Sequence, residues 1–139
     1  MIRIVSGEDV NHVLNGQKRV YYSGKNLQND GINYIDNDGL EIAITDYKEF
    51  TGDLPHVHEW NNEYNLIIEG EIKVYLLDTH EEYSFKKHDM YLIEPGTKYM
   101  AKAKEGTIVV VVKSPGGNDK KLLSYGSEQE ERWNSRWEV

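Results

Sequence analysis

The chain reads as all-β, a sandwich or barrel of short strands, and three observations predict this. Runs rich in Val, Ile, Thr and Tyr alternate with Gly, Asp, Asn and Pro corners about every 6–12 residues. Helical spacing is confined to residues 8–14 and 128–139. The 139 residues, with three prolines and no low-complexity run, suit one domain with a sizeable core.

In chain order, Glu8–Leu14 is a short helix candidate and Lys18–Tyr22 a first strand. Ile32–Ile35 and Leu40–Tyr47 flank Asp36-Asn37-Asp38-Gly39, a hairpin turn signal, so these two runs are expected to pair. Along Leu40–Tyr47 the alternation puts Leu40, Ile42 and Ile44 on one face and Glu41, Ala43, Thr45 and Tyr47 on the other. A segment holding His56 and His58 follows, then the strand Glu63–Glu69. Gly70-Glu71 turns into Ile72–Leu77, and Asp78-Thr79-His80 turns into Glu82–Lys86. Met90–Ile93 leads to the Glu94-Pro95-Gly96 corner, and Lys98–Lys104 and Thr107–Lys113 complete about ten strands. Ser114-Pro115-Gly116-Gly117-Asn118 breaks the pattern and opens the tail. Trp133 and Trp137 are one helical turn apart there, a stripe expected to pack on the barrel or on a partner subunit.

Charge narrows the partners. Sixteen basic against 24 acidic residues give a net charge of −8, which opposes binding to a phosphate backbone, so no nucleic-acid partner is expected. Lys86-Lys87, Lys102/Lys104 and Lys120-Lys121 read as solvated strand ends flanked by acids. The absence of cysteine removes disulfides, thiolate metal sites and cysteine nucleophiles. No segment approaches the roughly 18–20 apolar residues of a membrane helix, and the N-terminal residues lack an apolar signal core. A cytoplasmic protein with no membrane partner is the expectation.

The chemistry concentrates at His56-x-His58 followed by Glu63. Two residues apart on an extended strand, the imidazoles share a face, and Glu63 follows past the Asn61-Asn62 corner. Two neutral imidazoles and one carboxylate suit a divalent first-row metal with open coordination positions. The same three side chains also suit a cluster hydrogen-bonded to one another and to water. Strand alternation puts Asn65 and Ile67 on the face of Glu63 and Ala101 on that of Tyr99, and selects Met90 and Leu92 as inward-pointing. Tyr47 and Tyr75 are candidate pocket walls. His12, His80 and His88 read as surface residues. No Gly-x-Ser-x-Gly elbow, phosphate loop or dinucleotide fingerprint is present.

His56, His58, Glu63 and Gly70 match the first motif of the cupin superfamily, G-x5-H-x-H-x3,4-E-x6-G, with Phe50 in the slot of the leading glycine. The second motif, G-x5-P-x-G-x2-H-x3-N, is met by Gly96, with Pro95 beside the proline slot held by Glu94. His88, Tyr99 and Ala103 stand in its other slots. Over about residues 40–113 the chain thus resembles a small, single-domain cupin-2-like protein. The resemblance implies a jelly-roll (double-stranded β-helix) barrel over residues 1–139. It also implies one divalent transition metal (Mn, Fe, Ni, Co or Zn) held inside by His56, His58 and Glu63. Tyr99 replaces the histidine that completes the family's ligand set. It is expected beside the metal as a ligand, a donor, a proton-transfer group or a pocket wall.

Three functions stay open at this stage. One is a metal-dependent isomerase or epimerase acting on a carbohydrate or nucleotide-sugar, with Tyr99 as proton carrier. Another is an iron-dependent dioxygenase. The third is a non-catalytic small-molecule binding module. The resemblance also implies a homodimer, with the aromatic-bearing termini docked or exchanged across a two-fold axis.

Overall fold

The computed structural model describes residues 1–138. Helix α1 (Gly7–Leu14) is followed by strands β1 (Arg19–Gly24), β2 (Ile35–Asp36), β3 (Glu41–Tyr47), β4 (Thr51–Gly52) and β5 (His56–His58). Then come β6 (Asn62–Glu69), β7 (Glu71–Leu76), β8 (Glu82–Lys86), β9 (Met90–Ile93), β10 (Lys98–Ala103), β11 (Thr107–Ser114), β12 (Lys120–Leu122) and helix α2 (Ser127–Ser135). One sheet has the order β2-β1-β3-β11-β6-β9; the other has the order β12-β5-β10-β7-β8, with β4 also on β10.

β11 shows why these segments form strands. Its run Ile108–Val112 is β-branched throughout, and such side chains fit a pleated surface covered on both sides. It lies between β3 and β6, so its pairings fix the interior layer by layer. Lys113 is level with Glu41 and Glu63, Val111 with Ala43 and Asn65, and Val109 with Thr45 and Ile67. The core between the sheets gathers Ile67, Val109 and Val111 from the first sheet and Ile72, Val74, Tyr99 and Ala103 from the second. The β6–β7 turn needs Gly70, whose φ of +85° suits a residue without Cβ and whose missing Cβ would lie 2.6 Å from Thr107 Cα.

Helix α1 starts at Ser6, whose Oγ accepts from the Asp9 N–H at 3.2 Å, with Glu8 and Asp9 in the first turn. Its Val10 and Val13 are buried with Val20 of β1, against Ile44 on the outer face of β3. Helix α2 lies on the outside of the second sheet, where Trp133 is buried with Leu77 and Met100. No described helix is long and apolar enough to cross a membrane.

Several expectations need correcting. Ile35–Asp36 pairs in parallel with β1, through Ser23↔Ile35 and Gly24↔Asp36, rather than forming a hairpin with β3. The 36–39 turn is nonetheless real: Asn37 Oδ1 accepts from Gly39 N–H at 2.7 Å and Leu40 N–H at 3.2 Å, which redirects the chain. Lys102 is not a solvated strand end. It is 1% exposed beneath α2, where its ammonium donates to Trp133 O (3.3 Å) and Arg136 O (3.0 Å) and so closes the helix C-terminus. Trp137 lies beyond the end of α2, its ring 4.4 Å from Lys73 Nζ, so it does not share a helical stripe with Trp133.

Candidate functional site

β5 carries His56 and His58 and sits between β10 and β12. Both imidazoles point inward and are 2% and 4% exposed. Glu63, near the start of β6, reaches the same interior from the other sheet. These three side chains line a cavity of about 410 Å³, a size that suits a small-molecule ligand. Asn65, Tyr47, Ala101, Tyr91, Asp53 and Lys113 also line it.

Hydrogen bonds fix both histidine tautomers. His56 Nδ1 donates to Leu54 O at 2.7 Å, and burial first of all keeps this ring below its ordinary pKa and therefore neutral. His58 Nδ1 lies 2.7 Å from Asp119 Oδ1. The other Asp119 oxygen accepts from the Trp60 and Asn61 N–H groups, each at 2.8 Å. Burial pushes the Asp119 carboxyl up, but those two N–H bonds and His58 outweigh it and hold it below the usual carboxylate range. An ionised Asp119 only accepts, so His58 Nδ1 must donate, and in the neutral ring the lone pair is on Nε2. That nitrogen is 3.9 Å from Glu63 Oε1.

Tyr99 stands behind this pair. Its ring packs on His56 at 4.3 Å between centroids, and its hydroxyl donates to Glu63 Oε2 at 3.0 Å. Burial, and then the Glu63 charge, push the phenol well above its ordinary value. It is a neutral donor that fixes Glu63 rather than a group facing the cavity.

The metal expected at His56, His58 and Glu63 can be tested against this geometry. Each histidine commits Nδ1 elsewhere and leaves Nε2, the tautomer a ligand needs. The carboxylate commits Oε2 to the Tyr99 phenol, and its other oxygen, Oε1, lies 3.9 Å from His58 Nε2. Among the described residues, no group of three or more His, Cys, Asp or Glu side chains is arranged to hold a metal ion. The three expected ligands share a cavity but, as placed, are not gathered into a metal set.

Two other expected site residues lie elsewhere. Met90 is 56% exposed, because β9 pairs Leu66↔Met90 and Asn65↔Tyr91; Tyr91 and Ile93 therefore face inward, and Leu92 faces out with Met90. Tyr75 pairs with Met100 on the outer face of the second sheet, where it packs on Trp133 and Tyr125. Val74 and Leu76 take the inward places on that strand.

Sequence reasoning missed Asp119, Asp53, Lys18, Arg19 and Lys113. No local signal marks Asp119, which reaches His58 only because β12 pairs with β5. Arg19 carried a weak signal, since it alternates with Tyr21 on a strand that the pattern already indicated.

No known protein-family profile matches the chain. A curated protein of Mycoplasma capricolum subsp. capricolum, described as an uncharacterized RNA pseudouridine synthase, is 34% identical over 86 residues. That match covers 60% of this chain but only 26% of the relative's length. Among solved structures, an RmlC-like cupin from Shewanella frigidimarina superposes with a TM-score of 0.52 at 19% identity, covering 60% of this chain and 72% of that one. The nucleoside dehydratase Pac13 of Streptomyces gives 0.55 at 15% identity, covering 68% and 76%. The DMSP lyase DddQ from Ruegeria pomeroyi gives 0.59 at 14% identity, covering 77% and 51%. At these identities the likeness establishes the fold: the chain is a cupin-type double-stranded β-helix, as the resemblance implied.

Proposed function

We propose that the cavity is the active site of an enzyme that moves a proton on a small hydroxylated carbonyl compound. The substrate class is a carbohydrate or nucleotide-sugar, and the reaction an isomerisation or epimerisation. One observation carries this reading: the buried Asp119–His58 pair, which presents an imidazole lone pair at the wall of a ligand-sized cavity.

His58 Nε2 takes the proton from the carbon next to the substrate carbonyl and delivers it to the former carbonyl carbon as the neighbouring hydroxyl gives up its proton to the carbonyl oxygen. An epimer forms when the enediolate turns over before the proton returns to the carbon it left. The charge His58 gains in between lies between Asp119 on one side and Glu63 on the other. The carbonyl oxygen becomes negative at the same moment. The Asn65 amide and the Lys113 ammonium, both on the cavity wall, are the groups of this chain that can offset it. Tyr99 is a positioning residue, because it holds Glu63 without reaching the cavity. Solved cupin-type structures that act on small molecules, such as the nucleoside dehydratase and the DMSP lyase, support a catalytic role for such a barrel.

The test is deuterium exchange at carbon, followed by NMR, across a panel of aldoses, ketoses and nucleotide-sugars in heavy water. Exchange by the natural chain and its loss in His58→Gln is the expected result. Exchange that survives His58→Gln, or no exchange from any of the panel, overturns the reading.

A further inference from the structure

We infer that the ligand of this cavity carries an anionic group, a carboxylate or phosphate ester, held by Arg19 with Lys18 beside it. The inference rests on the cavity being a substrate site and adds the charge of what enters it.

Two cavity cations are paired with acids: Lys113 with Glu41 at 3.7 Å, and Lys120 with Asp53 at 3.0 Å. Lys18 and Arg19 line the same cavity, yet neither has an ion-pair partner among the described residues. Arg19 is nevertheless oriented. Its Nε donates to Thr45 Oγ1 at 2.8 Å, and Thr45 is completely buried on the inner face of β3. That bond turns the guanidinium inward and leaves both terminal amino groups to grip a carboxylate or phosphate in the planar, two-point manner that suits arginine. The Lys18 ammonium lies 5.3 Å from the centroid of the Tyr47 ring, and Tyr47 lines the cavity as well. Burial first of all keeps the Tyr47 phenol above its ordinary value, so it is a neutral donor there. A guanidinium, an ammonium and a phenol thus stand together as donors.

Register gives the distance to the reacting end. Arg19 is level with Thr45 and Val109, whereas Glu63 is level with Lys113. Four residues along β11 separate these layers, about 13 Å at strand rise. An anion on Arg19 and a reacting carbon at His58 are then two ends of one ligand of sugar-phosphate or sugar-acid size.

The probes are two matched pairs, ribose 5-phosphate against ribose and glucuronate against glucose, titrated into the full chain by calorimetry. The expected result is at least about tenfold tighter binding of the anionic member in one or both pairs, with the pair showing it separating phosphate from carboxylate. Arg19→Gln should abolish that preference, and Arg19→Lys should keep part of it, with thermal melts showing that both variants are folded. Equal or absent binding of the anionic members overturns the inference, as does a preference that survives in folded Arg19→Gln. The deuterium-exchange assay keeps the two readings apart. Charge preference without exchange removes only the proton-transfer reading, and exchange without charge preference removes only the anion subsite.

Discussion

Replacing Asp119 tests the site without needing a substrate. Its carboxylate side chain is completely buried and accepts three hydrogen bonds, from His58 Nδ1 and from the Trp60 and Asn61 N–H groups. Asp119→Ala leaves these donors without an acceptor. A buried donor stripped of its partner costs about 1–3 kcal/mol, and the three do not add in full, so a loss of about 3–5 kcal/mol is expected. Asp119→Asn is the sharper variant. Its amide oxygen can still serve the two backbone N–H groups, and the loss should be only about 1–2 kcal/mol. Its amino group now faces His58 Nδ1, however, and forces the proton onto Nε2. Long-range proton–nitrogen NMR, recorded where the ring is neutral, should show Nδ1–H in the natural chain and Nε2–H in Asp119→Asn. Any exchange activity should fall about 10²–10⁴-fold, the usual worth of a positioned base. The sign of the pH dependence is fixed as well. A carboxylate held below its unfolded value contributes stability at higher pH, which is lost as pH falls through the folded value. The stability gap between the natural chain and Asp119→Asn should therefore close below about pH 4. An Nε2–H signal in the natural chain, or an Asp119→Ala cost under about 1 kcal/mol, would refute the reasoning.

Tyr99→Phe frees Glu63 Oε2 and should lower exchange by about tenfold or more while costing only about 1 kcal/mol in urea unfolding; unchanged turnover would show that Glu63 needs no such hold. Gly70→Ala must drive a Cβ against Thr107 at a φ of +85°, so a loss of about 2–4 kcal/mol is expected, and a melting temperature equal to the parent's would contradict the turn geometry. Excess Mn, Co, Ni or Zn salts should move the melting temperature by no more than about 1 °C, since the described side chains form no ligand set. A rise of several degrees that disappears in His56→Ala would show that His56, His58 and Glu63 converge on a cation.

The strands were legible because burial on a β surface writes a period of two into the chain. Leu40–Tyr47 displays it plainly, and the structure puts Glu41, Ala43, Thr45 and Tyr47 on one face. Parity was harder where a strand is short. Met90–Ile93 offers four residues that are apolar at every position, so alternation cannot say which pair faces in; pairing with β6 chooses Tyr91 and Ile93. Tyr75 failed for a related reason. Helix α2 covers the outer face of the second sheet, so an aromatic residue there is half-buried without touching the cavity. His56, His58 and Glu63 could be read because they lie close together in sequence. Asp119 could not, since 61 residues separate it from His58 and only the β5–β12 pairing brings them together.

Tyr99 decides how the cluster divides its roles. A third imidazole at this position could turn either an N–H or a lone pair toward Glu63, and in the second case the facing acceptors need a cation between them. A phenol supplies a proton instead. Burial and the neighbouring carboxylate both keep that proton on the phenol, so one oxygen of Glu63 stays committed. The other faces His58 Nε2 at 3.9 Å, too far for a direct hydrogen bond yet close enough to offset an arriving charge. On the far side of the same ring, Asp119 fixes which nitrogen accepts. With a phenol at position 99, the site presents an imidazole between two carboxylates. In the proposed proton transfer, Asp119, which supplies no candidate ligand, is the residue that sets the base.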